Sequence, residues 1–326
     1  MTKGRILSGM RPTGPLHLGN LAGALANWVR LQDDYDCFFA VADWHALTTG
    51  YQDTSNVRGY VREVVVDWLA AGIDAERSVV FRQSDVKEHA ELHLLFSMIT
   101  PLGWLERCPT YKDQLQQLAE REITTHGFLG YPVLQAADIL VYKADAVPVG
   151  EDQIPHIELT REIARRFNYL YSPVFPEPKE LLNKVPVLLG TDGRKMSKSY
   201  GNTIQISDGP EKVRSAVQSM ITDPSRIRKT DPGHPDVCTV FGYYNAFAPD
   251  LAETRREECE NAHIGCVACK KQLADTLLDY LAPVHERRRE IEAKPGYIEQ
   301  VLEEGAAKAR PVAAATLAEA REAMRI

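Results

Sequence analysis

No apolar run in the chain approaches the roughly 18 residues that cross a membrane, and no secretory apolar segment follows Met1-Thr2-Lys3-Gly4-Arg5. A cytoplasmic protein without membrane contact is therefore expected. Neither Gly-x-Gly-x-x-Gly nor Gly-x-x-x-x-Gly-Lys-Ser/Thr occurs, which removes the dinucleotide-fingerprint and P-loop readings. Positive charge is in deficit: the net charge of −7 argues against indiscriminate binding of nucleic acid, while a local basic face could still grip one structured RNA. Cysteine is scarce, 6 in 326 residues, and in a cytoplasmic chain such residues are thiols or metal ligands, because disulfides are rare there. The remaining composition, 44% hydrophobic and 25% charged, is that of an ordinary globular chain with length for about two domains.

What is present centres on Pro12-Thr13-Gly14-Pro15-Leu16-His17-Leu18-Gly19-Asn20, set between a short apolar run (Ile6, Leu7) and a helical pattern of Leu21, Leu25, Trp28 and Leu31. Strand, tight turn and helix make an anion site, since the first helical turn aims unpaired N–H groups and the positive end of the helix dipole into the turn. His17 and Asn20 add side-chain donors three residues apart on one face. Far downstream, Gly190-Thr191-Asp192-Gly193 leads into Arg194-Lys195-Met196-Ser197-Lys198-Ser199, a mobile, glycine-flanked loop with two lysines three apart that could close on phosphates held by the first motif.

These two segments resemble class I aminoacyl-tRNA synthetases. Pro12–Asn20 is similar to their His-x-Gly-His signature, with Asn20 in the last place as in tryptophanyl members, and Lys195–Ser199 matches their Lys-Met-Ser-Lys-Ser loop throughout. The likeness runs along nearly the whole chain. It implies ATP and Mg2+, with ATP contacts at Arg11, Pro12, Thr13, Gly19, Asn20, Lys195, Met196, Ser197, Lys198 and Ser199. His17, Asn20, Lys195 and Lys198 would act on the phosphates, joined by Lys112, which matches a lysine that tryptophanyl enzymes direct at ATP.

Strand-like and helix-like patterns alternate over the first two hundred residues, as a parallel sheet with helical crossovers demands. The expected fold is α/β: a Rossmann-like parallel-sheet catalytic domain over 1–200, then an all-helical domain over 201–326. Cys37–Ala42 suits a strand buried on both faces, and it ends in Asp43-Trp44-His45, at the edge where open α/β sheets bind ligands. A helix is expected over Thr54–Ala71, capped by Asp53 or Thr54 and ended by Gly72, then a strand over Ser78–Arg82 and a helix over His89–Thr100. His89 and His93 lack the glutamate of a zinc-protease pattern and are set aside as a site. A polar helix over Asp113–Glu122 follows Lys112.

In Gly130–Tyr142, Pro132 suits a first helical position, and Asp138 lies among apolar neighbours, where a carboxylate needs a partner. Val147 and Val149 can face a flat ring, and Gly150-Glu151-Asp152-Gln153 opens the next helix. The resemblance assigns Leu7, His45, Tyr131, Gln135, Asp138, Val147, Val149 and Gln153 to tryptophan, with Asp138 accepting the indole N–H, and Gly150, Glu151 and Asp152 to ATP, with Asp152 on the ribose. Gln135 departs from the usual methionine and is similar to tyrosyl members, so a tyrosyl enzyme or another adenylyl transferase of the superfamily is the alternative.

After a proline-rich connector over Tyr171–Pro186, helices are expected at Glu211–Ile221, Tyr243–Ala248, Leu251–Ala262, Cys269–Glu292 and Glu299–Met324, the last broken by Pro311 and packing back on the first domain. By resemblance this appendix reads the tRNA(Trp) anticodon, the protein is a homodimer, and Lys270, Lys271 and Arg287-Arg288-Arg289 contribute a tRNA-facing surface. Cys238, Cys259, Cys266 and Cys269, separated by twenty, six and two residues, suit either a tetrahedral zinc or an iron–sulfur cluster. A subset of tryptophanyl enzymes carries a [4Fe–4S] cluster on very similar spacing, which ranks the cluster ahead of Zn2+.

Overall fold

The computed structural model describes residues 3–117, 123–182 and 188–326, so the far end of the expected helix Asp113–Glu122 and Pro186 of the expected connector lie outside it. Five short segments, Arg5–Met10 (β1), Asp36–Val41 (β2), Val79–Arg82 (β3), Ala146–Val149 (β4) and Lys179–Leu182 (β5), form one sheet in the order β3-β2-β1-β4-β5. Every neighbouring pair is parallel. β2 reads as an unbroken apolar run because helices cover both of its faces.

The covering helices are α1 (residues 18–31, π-helical over Leu21–Leu25), α2 (Asp43–Gly50), α3 (Val57–Ala71), α4 (Glu88–Ser97), α5 (Leu102–Glu106), α6 (Pro109–Gln117), α7 (His126–Leu140) and α8 (Ile154–Leu170). The later chain folds into α9 (Pro210–Ser219), α10 (Thr239–Phe247), α11 (Pro249–Glu260), α12 (Cys266–Glu292) and α13 (Tyr297–Met324). From β1 the chain steps to β2 and β3 on one side and returns to β4 on the other. The carboxyl ends of β1 and β4 thus flank the point where strand order reverses, which is where such sheets bind ligands.

On one face of the sheet Trp28 stacks on Phe39 at 4.7 Å and meets the edge of Trp68 at 5.2 Å. On the other, Phe38, Phe81 and Tyr142 pack together beneath α4 and α7. The last helix, α13, lies against β3 so closely that a Cβ on Gly305 would fall 1.7 Å from the Val80 carbonyl oxygen. Only glycine permits that approach. Among the described residues no helix is long and apolar enough to cross a membrane.

Three local expectations fail. α7 starts earlier than Pro132: Thr125 is its N-cap, accepting the Phe128 N–H at 3.2 Å, so Pro132 sits in the helix interior. Pro283 and Pro311 likewise lie inside continuous helices, and Pro311 does not break α13. A proline forfeits one backbone hydrogen bond, and here the long apolar faces packed on the sheet and on neighbouring helices outweigh that loss. Finally, α3 begins at Val57 after Asn56 with no side-chain cap, since Asp53 bonds Ser55 instead; Gly72, at φ +116°, does end the helix.

Candidate active site

The turn after β1 is held by its own side chains. His17 Nδ1 accepts the Asn20 N–H at 3.3 Å, and Asn20 Oδ1 accepts the His17 N–H at 3.1 Å, a reciprocal cap at the start of α1. The expectation of bare first-turn amides fails accordingly: Asn20 N–H also reaches the His17 carbonyl at 2.8 Å, and Leu18 N–H donates to the Ile204 carbonyl at 2.9 Å. This capping has a useful consequence. An imidazole accepting at Nδ1 carries its proton at Nε2, and an amide accepting at Oδ1 is left with Nδ2 to donate, so both side chains keep a donor for a ligand. Burial, with the nearby Lys198 cation, lowers the His17 pKa to about 4, so the ring is neutral at pH 7.

The lysine loop meets this turn across a short antiparallel pairing. Leu18 N–H binds Ile204, Ile206 N–H binds the Leu16 carbonyl at 2.9 Å, and Lys198 Nζ donates to the Gly14 carbonyl at 2.6 Å. Gly14 adopts φ +120°, a conformation that favours glycine. The loop expected to be mobile is organised around buried Asn202, whose Oδ1 accepts the Ser197 N–H at 2.9 Å and whose Nδ2 donates to Asp192 Oδ1 at 2.7 Å. Met196 is buried, Lys195 is exposed, and Lys198–Tyr200, containing Ser199, makes a single 3₁₀ turn.

Between the carboxyl ends of β1 and β4 lies a cavity of about 370 Å³. All eight residues expected at the amino acid line it: Leu7, His45, Tyr131, Gln135, Asp138, Val147, Val149 and Gln153. Arg11 and Gly150 line it too, which brings it to the start of the phosphate turn and of the segment Glu151–Gln153. Pro12, Thr13, Gly19, Asn20 and the lysine loop lie beyond its lining. Asp152 and Glu151 are exposed, with Asp152 accepting from Gln153 Nε2 at 3.1 Å, and Lys112 stands exposed on α6, outside the cavity lining.

Asp138, 7% exposed, is the buried charge of this cavity. His45 Nε2 donates to Oδ2 at 2.8 Å, His89 Nδ1 to Oδ1 at 2.6 Å, and Gln83 Nε2 reaches both oxygens at 2.8 and 2.9 Å. Burial alone pushes this carboxyl up, but the hydrogen bonds from His45 and His89 reverse that and hold it well below the usual range. His89 was set aside at the sequence level and Gln83 was missed; both are fully buried on Asp138. His156, also missed, lines the cavity and bonds the Tyr131 hydroxyl through Nε2 at 2.9 Å. The spacing of His89 four residues before His93 was a visible signal, but it was tested only against metal binding.

The four downstream cysteines are free thiols gathered from three helix ends: Cys238 caps α10, Cys259 closes α11, and Cys266 and Cys269 open α12. Burial raises the Cys259 thiol, with Cys238 and Cys266 adding to the shift, and pushes Cys269 up to about 12, with Cys238 and Cys259 adding. Each therefore senses two others. A Cβ on Gly233 would lie 2.4 Å from Cys259 Sγ, so the chain leaves that sulfur its space. Among the described residues no group of three or more His, Cys, Asp or Glu side chains stands close enough to hold a single ion. Of the expected basic surface, Arg288 is internal, 8% exposed and paired with Asp67, whereas Arg287 is exposed with Nε donating to the Ala70 carbonyl at 2.6 Å, and Lys270 is half-buried with Nζ donating to that of Gln218 at 2.8 Å.

Residues 2–282 match the family model described as tRNA synthetases class I (W and Y). The tryptophan–tRNA ligase of Thermotoga maritima is 56% identical over 327 residues, 99% of each chain, and that of Aquifex aeolicus is 47% identical over 393 residues, covering 99% of this chain and 100% of its own. Among solved structures, tryptophanyl-tRNA synthetase from Campylobacter jejuni, complexed with ADP and tryptophan, superposes with a TM-score of 0.87 at 35% identity, over 99% of this chain and 100% of its own. The chain belongs to the class I tRNA synthetases of the tryptophan and tyrosine group.

Burial lowers the Lys198 pKa to about 8, nearby Arg11 adding to the drop and Asp67 opposing it. Above that pH the amine loses the charge that a phosphate needs. We expect kcat/KM for ATP to fall as pH rises through about 8, and Lys198→Arg to move that fall upward, out of the range. A flat profile from about pH 7 to 9.5 in the parent protein contradicts this role for the lysine.

Proposed function

We propose that the chain is a tryptophan–tRNA ligase that activates tryptophan with MgATP and passes it to tRNA(Trp). The observation that carries the reading is a cavity with one buried carboxylate, Asp138, that reaches Arg11 at the start of the phosphate turn, the turn to which Lys198 of the lysine loop is bonded. Full-length likeness to tryptophan–tRNA ligases supports the same substrate.

Val147, Val149 and Leu7 flank the indole ring, and Asp138 accepts its N–H, taking the place of part of the Gln83 or His45 interaction. Tyr131, Gln135 and Gln153 hold the rest of the amino acid. The tryptophan carboxylate is already ionised at neutral pH, so no general base is required. One of its oxygens forms a bond to the α-phosphorus of ATP, the bond from that phosphorus to the bridging oxygen of the β-phosphate breaks, and pyrophosphate leaves with the electron pair. Such transfers are driven by positioning and by stabilising the leaving charge. His17 Nε2–H, Asn20 Nδ2 and Lys198 act from the turn, Lys195 and Lys112 approach from solvent, and Asp152 with Gly150 and Glu151 takes the ribose side. A hydroxyl of the terminal adenosine of tRNA then attacks the acyl carbon and AMP leaves. Residues 201–326 present the anticodon-reading surface.

Gln135 favours a second reading, activation of tyrosine, whose phenol could also donate to Asp138. Exchange driven by tyrosine in the parent protein would identify this second reading, and variants of Asp138 test the pairing itself. A site built to pair a substrate N–H rejects an analogue lacking it by on the order of 10⁴-fold, because the acceptor is then stranded. Asp138→Ala, in protein shown to be folded, should erode discrimination against phenylalanine, whereas Asp138→Asn, whose side-chain carbonyl still accepts, should retain part of it. Equal discrimination before and after, in folded protein, defeats the assignment.

We further propose a [4Fe–4S] cluster on Cys238, Cys259, Cys266 and Cys269, with Zn2+ as the alternative. Support comes from four free thiols at three helix ends, two of which, Cys259 and Cys269, are each raised further by two of the others. A group bound to all four thiolates would staple those helices together. Leu94, Met98 and Leu102, which are 53%, 66% and 64% exposed on α4 and α5, support a homodimer through that face. Anaerobically purified protein should be brown and dimeric with about four irons per chain, and metal removal should impair tRNA charging more than exchange. One zinc in colourless anaerobic protein refutes the iron assignment, and a metal-free protein of unchanged stability refutes the site.

A further inference from the structure

Asp67 of α3 is completely buried, yet it belongs neither to the cavity nor to the phosphate motifs. Its carboxylate joins three segments that are remote in sequence. Oδ2 accepts the N–H of Leu16, the residue just before His17, at 3.2 Å, and Oδ1 takes the Arg288 guanidinium of α12. Arg288 also reaches Glu63 Oε2 at 2.5 Å and Glu292 Oε1 at 3.2 Å. The other side of Leu16 is tied down as well: its carbonyl accepts from Ile206, whose own carbonyl accepts from His285 Nε2 of α12 at 2.8 Å. Both strands of the pairing that joins the phosphate turn to the lysine loop are therefore hooked to α12, one through Arg288 and Asp67, the other through His285.

A buried ion pair is a poor stability device, because desolvating both charges cancels much of their attraction and an apolar pair of similar volume often serves as well. What an apolar pair cannot supply is an acceptor for the Leu16 N–H, which is buried and needs one. Arg288 fixes the direction of that acceptor, because its planar guanidinium holds Asp67 Oδ1 through Nη1 while Nη2 is anchored on Glu63 and Glu292, which leaves Oδ2 for Leu16.

We propose that Asp67, oriented by Arg288, is a positioning residue that sets where the phosphate turn presents His17 and receives Lys198 from the lysine loop, and that α12 registers the helical region on the ATP site through it. The proposal rests on the ATP reading of the two motifs. α12 carries Cys266 and Cys269 at its other end, so one continuous helix runs from the thiol cluster to the phosphate turn.

The test is steady-state pyrophosphate exchange on the full chain with Asp67→Leu, Asp67→Asn and Arg288→Met, with circular dichroism to confirm folding. Misplacing a reacting group by about 1 Å costs up to about 100-fold, so Asp67→Leu and Arg288→Met should lower kcat/KM for ATP by at least about tenfold, with KM for tryptophan within about twofold of the parent. Asp67→Asn, whose side-chain carbonyl still accepts from Leu16, should recover most of the loss. If Asp67→Leu does not fold, Arg288→Met against Asp67→Asn carries the comparison. Unchanged ATP parameters in folded Asp67→Leu or Arg288→Met overturn the positioning role, as does a parallel loss in the ATP and tryptophan parameters. Absence of exchange in the parent overturns the ATP reading, and this proposal with it.

Discussion

The antiparallel pairing of residues 16–18 with residues 204–206 is the constraint on which the site depends. The turn at Gly14 and the lysine at 198 are 184 positions apart, and neither offers a triphosphate enough alone. Backbone hydrogen bonds at Leu16, Leu18 and Ile206 bring them together, and the Lys198 ammonium then rests on the Gly14 carbonyl. These bonds lie at the carboxyl edge of the sheet because β1 ends there. Helix α1 is capped by Nδ1 of His17, which leaves the second ring nitrogen as a donor. One side chain thus closes the helix and keeps a group for a ligand.

The cavity works by the opposite economy of charge. Its walls mix apolar and polar side chains, and its one buried carboxylate is surrounded by donors on both oxygens. A carboxylate held well below its usual pKa stays ionised at neutral pH despite its burial. The paired histidines and Gln83 make that burial affordable, and they hold the acceptor in one place. His89 is itself held by the Tyr142 hydroxyl at 2.7 Å, beneath the sheet, so the orientation of Asp138 is fixed by the core.

How much of this was legible in the sequence depended on the range of the interaction. Buried parallel strands announce themselves as apolar runs, the two phosphate motifs are local words, and all eight expected amino-acid contacts line the cavity. Side chains that support those residues were harder to find. His89 and Gln83 lie 49 and 55 positions from Asp138, and no local periodicity links a carboxylate to donors on other helices. Asn202, which organises the lysine loop, is one asparagine among many until the fold brings its amide to Ser197. Arg288 misled because a run of arginines looks like a solvated face, whereas an acidic partner 221 residues away draws this one inward. Pro311 misled for a related reason: tertiary packing carried α13 through a residue that breaks isolated helices.

The central claim is that this cavity and these loops together join tryptophan to AMP. Exchange of labelled pyrophosphate into ATP, run with each amino acid in turn on the purified chain, tests it directly. The account predicts exchange with tryptophan that far exceeds exchange with tyrosine or phenylalanine; exchange driven by tyrosine, or by no amino acid, contradicts it.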